Sequence, residues 1–339
     1  MKRILHRHYG APLSVLEVEN SPQPEQVPAG SVRVRVVLSP IHQGDLLGVA
    51  GSPAAGSTTP ISEQGRGPGV EGVGVIDAIG ADVDSDLGLA VGTRVAFFPT
   101  SGGWSETIVL PATATVVVPD AIPDQVAAQM LVNTITARML MRAGHNSLPK
   151  DQMTDVVVLQ TGAGSAVSKL LSKMLIDAGV TPIRLVRSAQ SAQVLSDVLP
   201  GSPVISTDDP NWQSLVKQHA GDRKIHVAVD GVGGPLLAEV ATLLEPQGTV
   251  INFGTLGGET TDIRWFVPRA LVLKGLSIAY WFNESAEDRK ADIAAALRLA
   301  NSNPELFELG GEYSPSELTA ALSHVIERKR GTAFFSFRT

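Results

Sequence analysis

Asp155-Val156-Val157-Val158-Leu159-Gln160-Thr161-Gly162-Ala163-Gly164-Ser165 is an apolar run that stops abruptly at a glycine-punctuated turn. A short, β-branched, uninterrupted run of this kind predicts a compact strand buried on both faces. Downstream, Val167, Leu170, Leu171, Met174, Leu175 and Ala178 recur at helical spacing and make one apolar face, which Gly179 ends. Pro182-Ile183-Arg184-Leu185-Val186 then reads as a second strand. Strand, glycine turn, helix and strand within about thirty residues form a βαβ unit. Its crossover must be right-handed, and its two strands belong to a parallel sheet.

Toward the C-terminus the alternation continues. His226-Val227-Ala228-Val229-Asp230 is a strand ending at Gly231-Val232-Gly233-Gly234, a helix covers roughly 236–244, and Gly248-Thr249-Val250-Ile251-Asn252-Phe253-Gly254 is another strand. Strands that stop at glycine mark the carboxyl edge of an α/β sheet, where ligands sit. Toward the N-terminus the grammar differs. Val32, Val34 and Val36 alternate with arginines, Gly65, Gly67, Gly69, Gly72, Gly74 and Gly80 punctuate short apolar runs, and 91–98 and 115–118 add further strands. Helical patterning begins at Pro123-Asp124. Ala291–Ala300 is helical and Phe334–Phe337 strand-like. The fold class expected is α/β, with a β-rich domain over 1–122, a doubly wound parallel sheet over 123–275, and a return to the first domain over 276–339.

Composition narrows the function. The 339 residues carry 27 Lys+Arg against 34 Asp+Glu, a net charge of −7 with no long run of either sign. Nucleic-acid binding needs clustered cations to neutralise phosphates and is not expected. With no cysteine there is no disulfide, no thiolate zinc site, no iron–sulfur cluster and no thiol nucleophile. No apolar stretch is long enough to cross a membrane. Met1-Lys2-Arg3-Ile4-Leu5-His6 has positive charge without an apolar run behind it, so a cytoplasmic setting is expected.

The turn itself points to a dinucleotide. Backbone amides at a helix N-terminus are the natural partners of a pyrophosphate, and Gly164, Ser165, Ala166 and Val167 can supply them. At the end of the second strand, an NAD enzyme places an acid for the ribose hydroxyls. Here the chain reads Val186-Arg187-Ser188, and no acid follows until Asp197. A cation at that place suits the 2′-phosphate of NADPH, which a carboxylate would repel.

Several short motifs, in order along nearly the whole chain, resemble those of the medium-chain dehydrogenase/reductases. They are closest to the zinc-independent branch of 2-enoyl-thioester reductases and NADPH:quinone reductases. The motifs are Ile41-His42-Gln43-Gly44-Asp45, Pro68-Gly69-Val70-Glu71-Gly72-Val73-Gly74, Gly102-Gly103-Trp104, Val132-Asn133-Thr134-Ile135-Thr136-Ala137, the nucleotide turn with Leu185-Val186-Arg187, and Asp230–Gly234. The resemblance implies a Rossmann domain beside a GroES-like catalytic domain. It places Asn133 and Thr136 near the nicotinamide, with Phe253, Gly254, Thr255 and Leu256 holding the carboxamide. No metal site is expected, since Val70 stands where zinc dehydrogenases place His. A Tyr that the enoyl reductases carry after the first motif is absent, because Leu46–Pro53 contains none. The glycines and proline there (Gly48, Gly51, Pro53, Gly56) make a small loop that leaves room for a bulky acceptor.

These features lead to an NADPH-dependent reductase of a small molecule, passing a hydride without metal to an activated double bond or a quinone. His42, Asp45, Trp104 and Asn133 are the candidate catalytic residues, and Ser52 is a further pocket candidate. The alternatives are a non-catalytic NADPH-binding protein, a 2-enoyl-thioester reductase and a metal-free carbonyl reductase. The apolar segment Asp262–Phe282 is expected to pair two copies into a homodimer.

Overall fold

The computed structural model describes residues 1–53, 59–149, 156–258 and 260–338. Asp155 and Gly56, both singled out by their sequence context, lie outside the described residues. The chain divides into two compact units, Met1–Val132 with Ile293–Thr339, and Asn133–Asp292. Both divisions fall within helices (Met130–His145 and Ala286–Ser302) rather than at residues 122 and 275. A helix carries its periodicity straight through such a point and leaves no break in composition.

The first unit opens with β1 (Lys2–Leu5), α1 (Pro12–Val15), β2 (Glu17–Asn20), β3 (Ser31–Pro40) and α2 (Gln43–Ala50). It continues through β4 (Gly72–Ile79), β5 (Arg94–Phe97), β6 (Thr107–Pro111), β7 (Thr115–Val117) and α3 (Asp124–Ala127) into α4 (Met130–His145). On β3, Val32, Val34, Val36 and Leu38 are buried while Arg35 faces out. This is the half-buried alternation that the sequence carries. The recurrent glycines answer to close packing: a Cβ on Gly74 would stand 2.4 Å from the Arg35 carbonyl oxygen of the paired strand. Two register shifts between β3 and β4 mark the expected irregularity.

The second unit is built from β8 (Val157–Gln160), α5 (Ala166–Asp177), β9 (Thr181–Val186), α6 (Ala189–Val198), β10 (Val204–Ser206), α7 (Trp212–Ala220) and β11 (Ile225–Asp230). α8 (Gly234–Ala241), β12 (Thr249–Asn252), α9 (Phe266–Arg269) and β13 (Val272–Gly275) follow, and α10 (Ala286–Ser302) leads out of it. Its six strands lie in the order β10-β9-β8-β11-β12-β13 and every neighbouring pair is parallel. Counted from β8, that is 3-2-1-4-5-6, the doubly wound order of dinucleotide-binding sheets. The winding reverses between β8 and β11, so crossovers depart to opposite faces and leave a crevice at the carboxyl ends of those two strands. Val157, Leu159, Ile183, Leu185, Ala228 and Val250 make the sheet's share of the core.

The chain returns to the first unit with β14 (Leu309–Tyr313), α11 (Leu318–Ile326) and β15 (Thr332–Ser336). These complete a sheet ordered β14-β15-β3-β4-β5-β7, with β6 also on β3. Ile76, Val95, Phe97, Trp104, Ile108 and Phe335 lie in its core. Among the described residues no helix is long and apolar enough to cross a membrane.

Candidate functional site

In the second unit the site residues collect at the carboxyl edge of the sheet. β8 ends at Gln160, Gly162 takes a left-handed conformation (φ 56°), and α5 begins at Ala166 with Ser165 as its N-cap. The Ser165 hydroxyl accepts from the Ser168 amide at 3.2 Å and is occupied with its own helix. The amides of Ala166 and Val167, in the first turn, have no carbonyl one turn earlier to bond. Gly164 is exposed, and a Cβ built on it meets nothing within 4 Å. Open first-turn amides and the positive end of a twelve-residue helix make an anion cradle that a pyrophosphate fits.

Two arginines on or beside β9 have different fates. Arg184 is buried and donates to the carbonyls of Leu199 (2.7 Å) and Ser202 (2.6 Å), near the C-terminus of α6. Desolvation pushes its guanidinium down to about 10. Arg187, just past the strand, is exposed, and its side chain makes no hydrogen bond or ion pair among the described residues. Ser188 caps α6 through the Ser191 amide. Beyond the carboxyl end of β9, Arg187 therefore presents an exposed guanidinium able to make charge-assisted hydrogen bonds to an anion.

A buried carboxylate ties the strand ends together. Asp230, at the end of β11, accepts from the Thr161 hydroxyl, the amides of Val232 (3.2 Å) and Gly233 (2.9 Å), and the Asn252 side-chain amide (2.7 Å). Thr161 in turn accepts from the Gly231 amide, and Asn252 also donates to the Gly254 carbonyl. The turns after β8, β11 and β12 are thereby held by one network. Glycine is required where they approach: a Cβ on Gly254 would lie 2.4 Å from the Gly231 carbonyl oxygen. Phe253, Gly254, Thr255 and Leu256 form the loop after β12, and Thr255 and Leu256 are exposed. Asn133 and Thr136 lie one turn apart on α4, both buried.

In the first unit the polar centre is His42 with Glu71. His42 is the N-cap of α2, and its amide donates to Asp45 Oδ2 at 2.9 Å. Asp45 Oδ1 accepts from the Gly69 amide. His42 Nε2 lies 2.7 Å from Glu71 Oε1, and Glu71 Oε2 accepts from the Val132 amide, in the first turn of α4, at 2.9 Å. The Glu71 side chain is 1% exposed and that of His42 18%, so the pair is sealed on the carboxylate side and partly open at the ring. Burial pulls the imidazole down, but the hydrogen bond and charge of Glu71, with the charge of Asp45, outweigh it and raise His42 above its ordinary value. Burial likewise holds the Asp45 carboxyl above its usual range, against the attraction of His42 and its two amide bonds.

Trp104, expected among the catalytic residues, belongs to the core instead. It is fully buried, donates from Nε1 to the Pro40 carbonyl at 3.0 Å, and meets Phe335 edge-on at 5.0 Å. A tryptophan after two glycines looks the same in sequence whether it lines a pocket or fills a core. Glu71 stands out in the sequence only as one member of a motif. What singles it out is its distance to His42, which a separation of 29 positions along the chain conceals. Among the described residues no three His, Asp or Glu side chains stand close enough to hold a metal ion.

No family model matches the chain. Among curated proteins, the mitochondrial enoyl-[acyl-carrier-protein] reductase of Homo sapiens is 25% identical over 315 residues, spanning 88% of this chain and 78% of that protein. The Xenopus tropicalis counterpart is 26% identical over 307 residues, spanning 87% and 82%. Among solved structures, a candidate NADPH:quinone reductase from Bacillus thuringiensis superposes with a TM-score of 0.83 at 26% identity, over 99% of this chain and 98% of that one. The Escherichia coli quinone oxidoreductase, solved with NADPH, has a TM-score of 0.82 at 20% identity over 99% and 100%, and shows the fold. Over most of its length the chain is thus similar both to enoyl-[acyl-carrier-protein] reductases and to an NADPH:quinone reductase, each at about a quarter identity.

Proposed function

We propose that the protein is an NADPH-dependent reductase that passes a hydride, without a metal, to an activated double bond or a quinone. The observation that carries this reading is the carboxyl edge of the six-stranded sheet. There an open helix N-terminus at the β8–β11 reversal and the exposed guanidinium of Arg187 offer donors of the kind that a pyrophosphate and a 2′-phosphate take, which supports the reading. Gly164, Ser165, Ala166, Val167, Arg187 and Ser188 would hold the nucleotide, and Phe253–Leu256 with Asn133 and Thr136 the nicotinamide end. When bound, NADPH supplies the hydride. The protein's part is to orient it and to exclude competing reactions.

Titration of NADPH and NADH against wild type and Arg187→Ala tests the cofactor assignment. NADPH is expected to bind more tightly, and the variant to lose about 1.5–3 kcal/mol of that affinity. Equal affinities, or an undiminished variant, would refute it. A panel of quinones, enones and enoyl thioesters, with NADPH oxidation followed spectroscopically, tests the reaction. A non-catalytic NADPH-binding protein would turn over none of them.

Enoyl-thioester reduction is the second reading, favoured by the names of the curated relatives. Against it stands the missing Tyr. The Tyr9 hydroxyl is engaged by the Thr59 carbonyl and Arg66, and that of Tyr313 by His324. A crotonyl thioester preferred to a quinone by tenfold or more in kcat/KM would move the assignment to acyl reduction. Activity is expected to survive exhaustive chelation, since Val70 and the absence of cysteine leave the dehydrogenases' zinc ligands unmatched. Zinc lost together with activity would contradict this. The same reading includes a homodimer through the β13 edge and a cytoplasmic location, the latter in contrast to the mitochondrial relatives. Cell fractionation decides the location.

A further inference from the structure

The nucleotide reading gives Arg187 to the 2′-phosphate and leaves open what holds that cation in place. We propose that the tip of the edge strand β10 sets the site's preference between a phosphorylated and an unphosphorylated ribose: Ser206 positions Arg187, and the charge of Asp208 opposes it. The proposal rests on the nucleotide reading and goes beyond it by naming two residues outside the turn and strand that carry the phosphate contacts.

Arg187 follows the last residue of β9, and the backbone around it is tied down at each step. Before it, the Leu185 carbonyl accepts from the Ala163 amide (3.0 Å), inside the glycine turn. After it, the Ser188 hydroxyl accepts from the Ser191 amide (3.2 Å) and caps α6. At Arg187 itself, the carbonyl accepts from the Ser206 hydroxyl (2.9 Å) and from the Asp208 amide (3.1 Å). The Asp208 amide also lies 3.3 Å from Ser206 Oγ, so hydroxyl, amide and carbonyl close a small ring. The ladder between β9 and β10 ends at Val186 opposite Ser206, one residue short of Arg187. The contacts to Arg187 thus extend the edge strand's hold beyond what the register of the sheet supplies.

What these bonds fix is the peptide, not the guanidinium. The Arg187 side chain is exposed and makes no hydrogen bond or ion pair among the described residues. A long side chain loses rotamer freedom when it closes on a phosphate, and a backbone already fixed keeps the rest of that ordering cost small. Without the Ser206 hydroxyl the Arg187 carbonyl keeps one of its two donors, and the root of the side chain is held less firmly. Asp208 works in the other direction. Its carboxylate is exposed and likewise makes no hydrogen bond or ion pair among the described residues. Its amide touches the Arg187 carbonyl, so an unpaired negative charge is attached beside the cation that would receive the phosphate. Through water, such a charge repels an anion modestly, and salt screens the repulsion.

Isothermal titration calorimetry on the full-length protein, with NADPH and NADH as the probes, reads both effects. Ser206→Ala should weaken NADPH by about three- to tenfold and NADH by less than about twofold. In an Arg187→Ala background the same substitution should cost NADPH nothing further, since the group it positions is gone. That non-additivity is the readout a general loosening of the fold would not give. Ser206→Thr, which keeps a hydroxyl, should hold most of the wild-type affinity. Asp208→Asn keeps the backbone amide and should strengthen NADPH by about two- to fivefold at low salt, the gain shrinking as salt is raised. The proposal is overturned by a Ser206→Ala variant that leaves NADPH affinity unchanged or weakens both cofactors alike, by a loss that persists in the Arg187→Ala background, or by an Asp208→Asn variant with unchanged affinity. Each of these leaves the nucleotide reading intact, provided that Arg187→Ala alone loses its preference for NADPH. An Arg187→Ala variant that binds both cofactors as the wild type does overturns that reading as well.

Discussion

At His42 two opposed effects meet, and their balance has a consequence for stability as well as for chemistry. Desolvation disfavours the imidazolium, while Glu71 and Asp45 favour it, and the net effect is a folded-state pKa above the ordinary value of about 6.5. A raised pKa means that the folded state binds the proton more tightly than the unfolded chain. The stabilisation is complete below the unfolded pKa and is lost as pH rises through the folded one. Asp45, also raised, has the same sign in a more acidic window. Urea denaturation should therefore show wild type losing more stability than His42→Gln as pH rises above about 6.5. Parallel losses in the two proteins would mean that the pair contributes nothing that titrates there. Single residues are also where a sequence is hardest to read. His42 and Asp45 are legible as candidates because they stand together in one motif, but Glu71 is not, since nothing in the chain announces a contact across 29 positions. Trp104 shows the converse failure, a conspicuous residue type whose place in the core only packing reveals.

Elements are more legible than single residues. The buried run ending at Gln160, the apolar face from Val167 to Ala178 and the stop at Gly179 appear as β8, α5 and a left-handed cap (φ 75°). Each signal is local, so the chain carries it whole. What joins the elements is not local. Asp230 is visible in the sequence only as the residue before a glycine cluster, yet it gathers Thr161, Val232, Gly233 and Asn252 into the network that sets three strand ends. Hydrogen bonds to a charged group contribute about 1.5–3 kcal/mol each, and unpaired buried partners cost comparably. Asp230→Ala should therefore lower unfolding stability by about 3 kcal/mol or more, and the loosened turns should weaken NADPH binding by about tenfold or more. Asp230→Asn keeps one acceptor oxygen and should lose less of both. Equilibrium denaturation and a fluorescence titration measure the two effects. Undisturbed NADPH affinity in a destabilised Asp230→Ala would show that the network serves the fold and not the cofactor turn.

For the molecule as a whole, the fold class is legible in the chain because one βαβ unit fixes handedness and parallel order, and the rest of the sheet must follow. The outer edge of that sheet carries a large uncovered apolar surface. β13 is hydrogen-bonded to β12 on one side, and all four of its residues are exposed. Around it Val267 is 85% exposed, with Ile263, Trp265, Leu273, Tyr280 and Phe282 also open. A flat, apolar edge with free backbone groups templates further pairing, and proteins that keep such an edge cover it. A second copy related by a two-fold axis would cover it with the same strand. Such a pairing would close the contact and leave no site for a third chain. The competing view, that the segment packs within one subunit, predicts burial of residues that are in fact open. Light scattering on the wild-type protein should give about twice 35.6 kDa at micromolar concentration. Val267→Glu combined with Leu273→Lys places charges on both sides of the edge and should give 35.6 kDa while leaving the circular dichroism spectrum unchanged. A wild-type mass of 35.6 kDa would end the dimer proposal, and a double variant that stayed paired would move the interface away from β13.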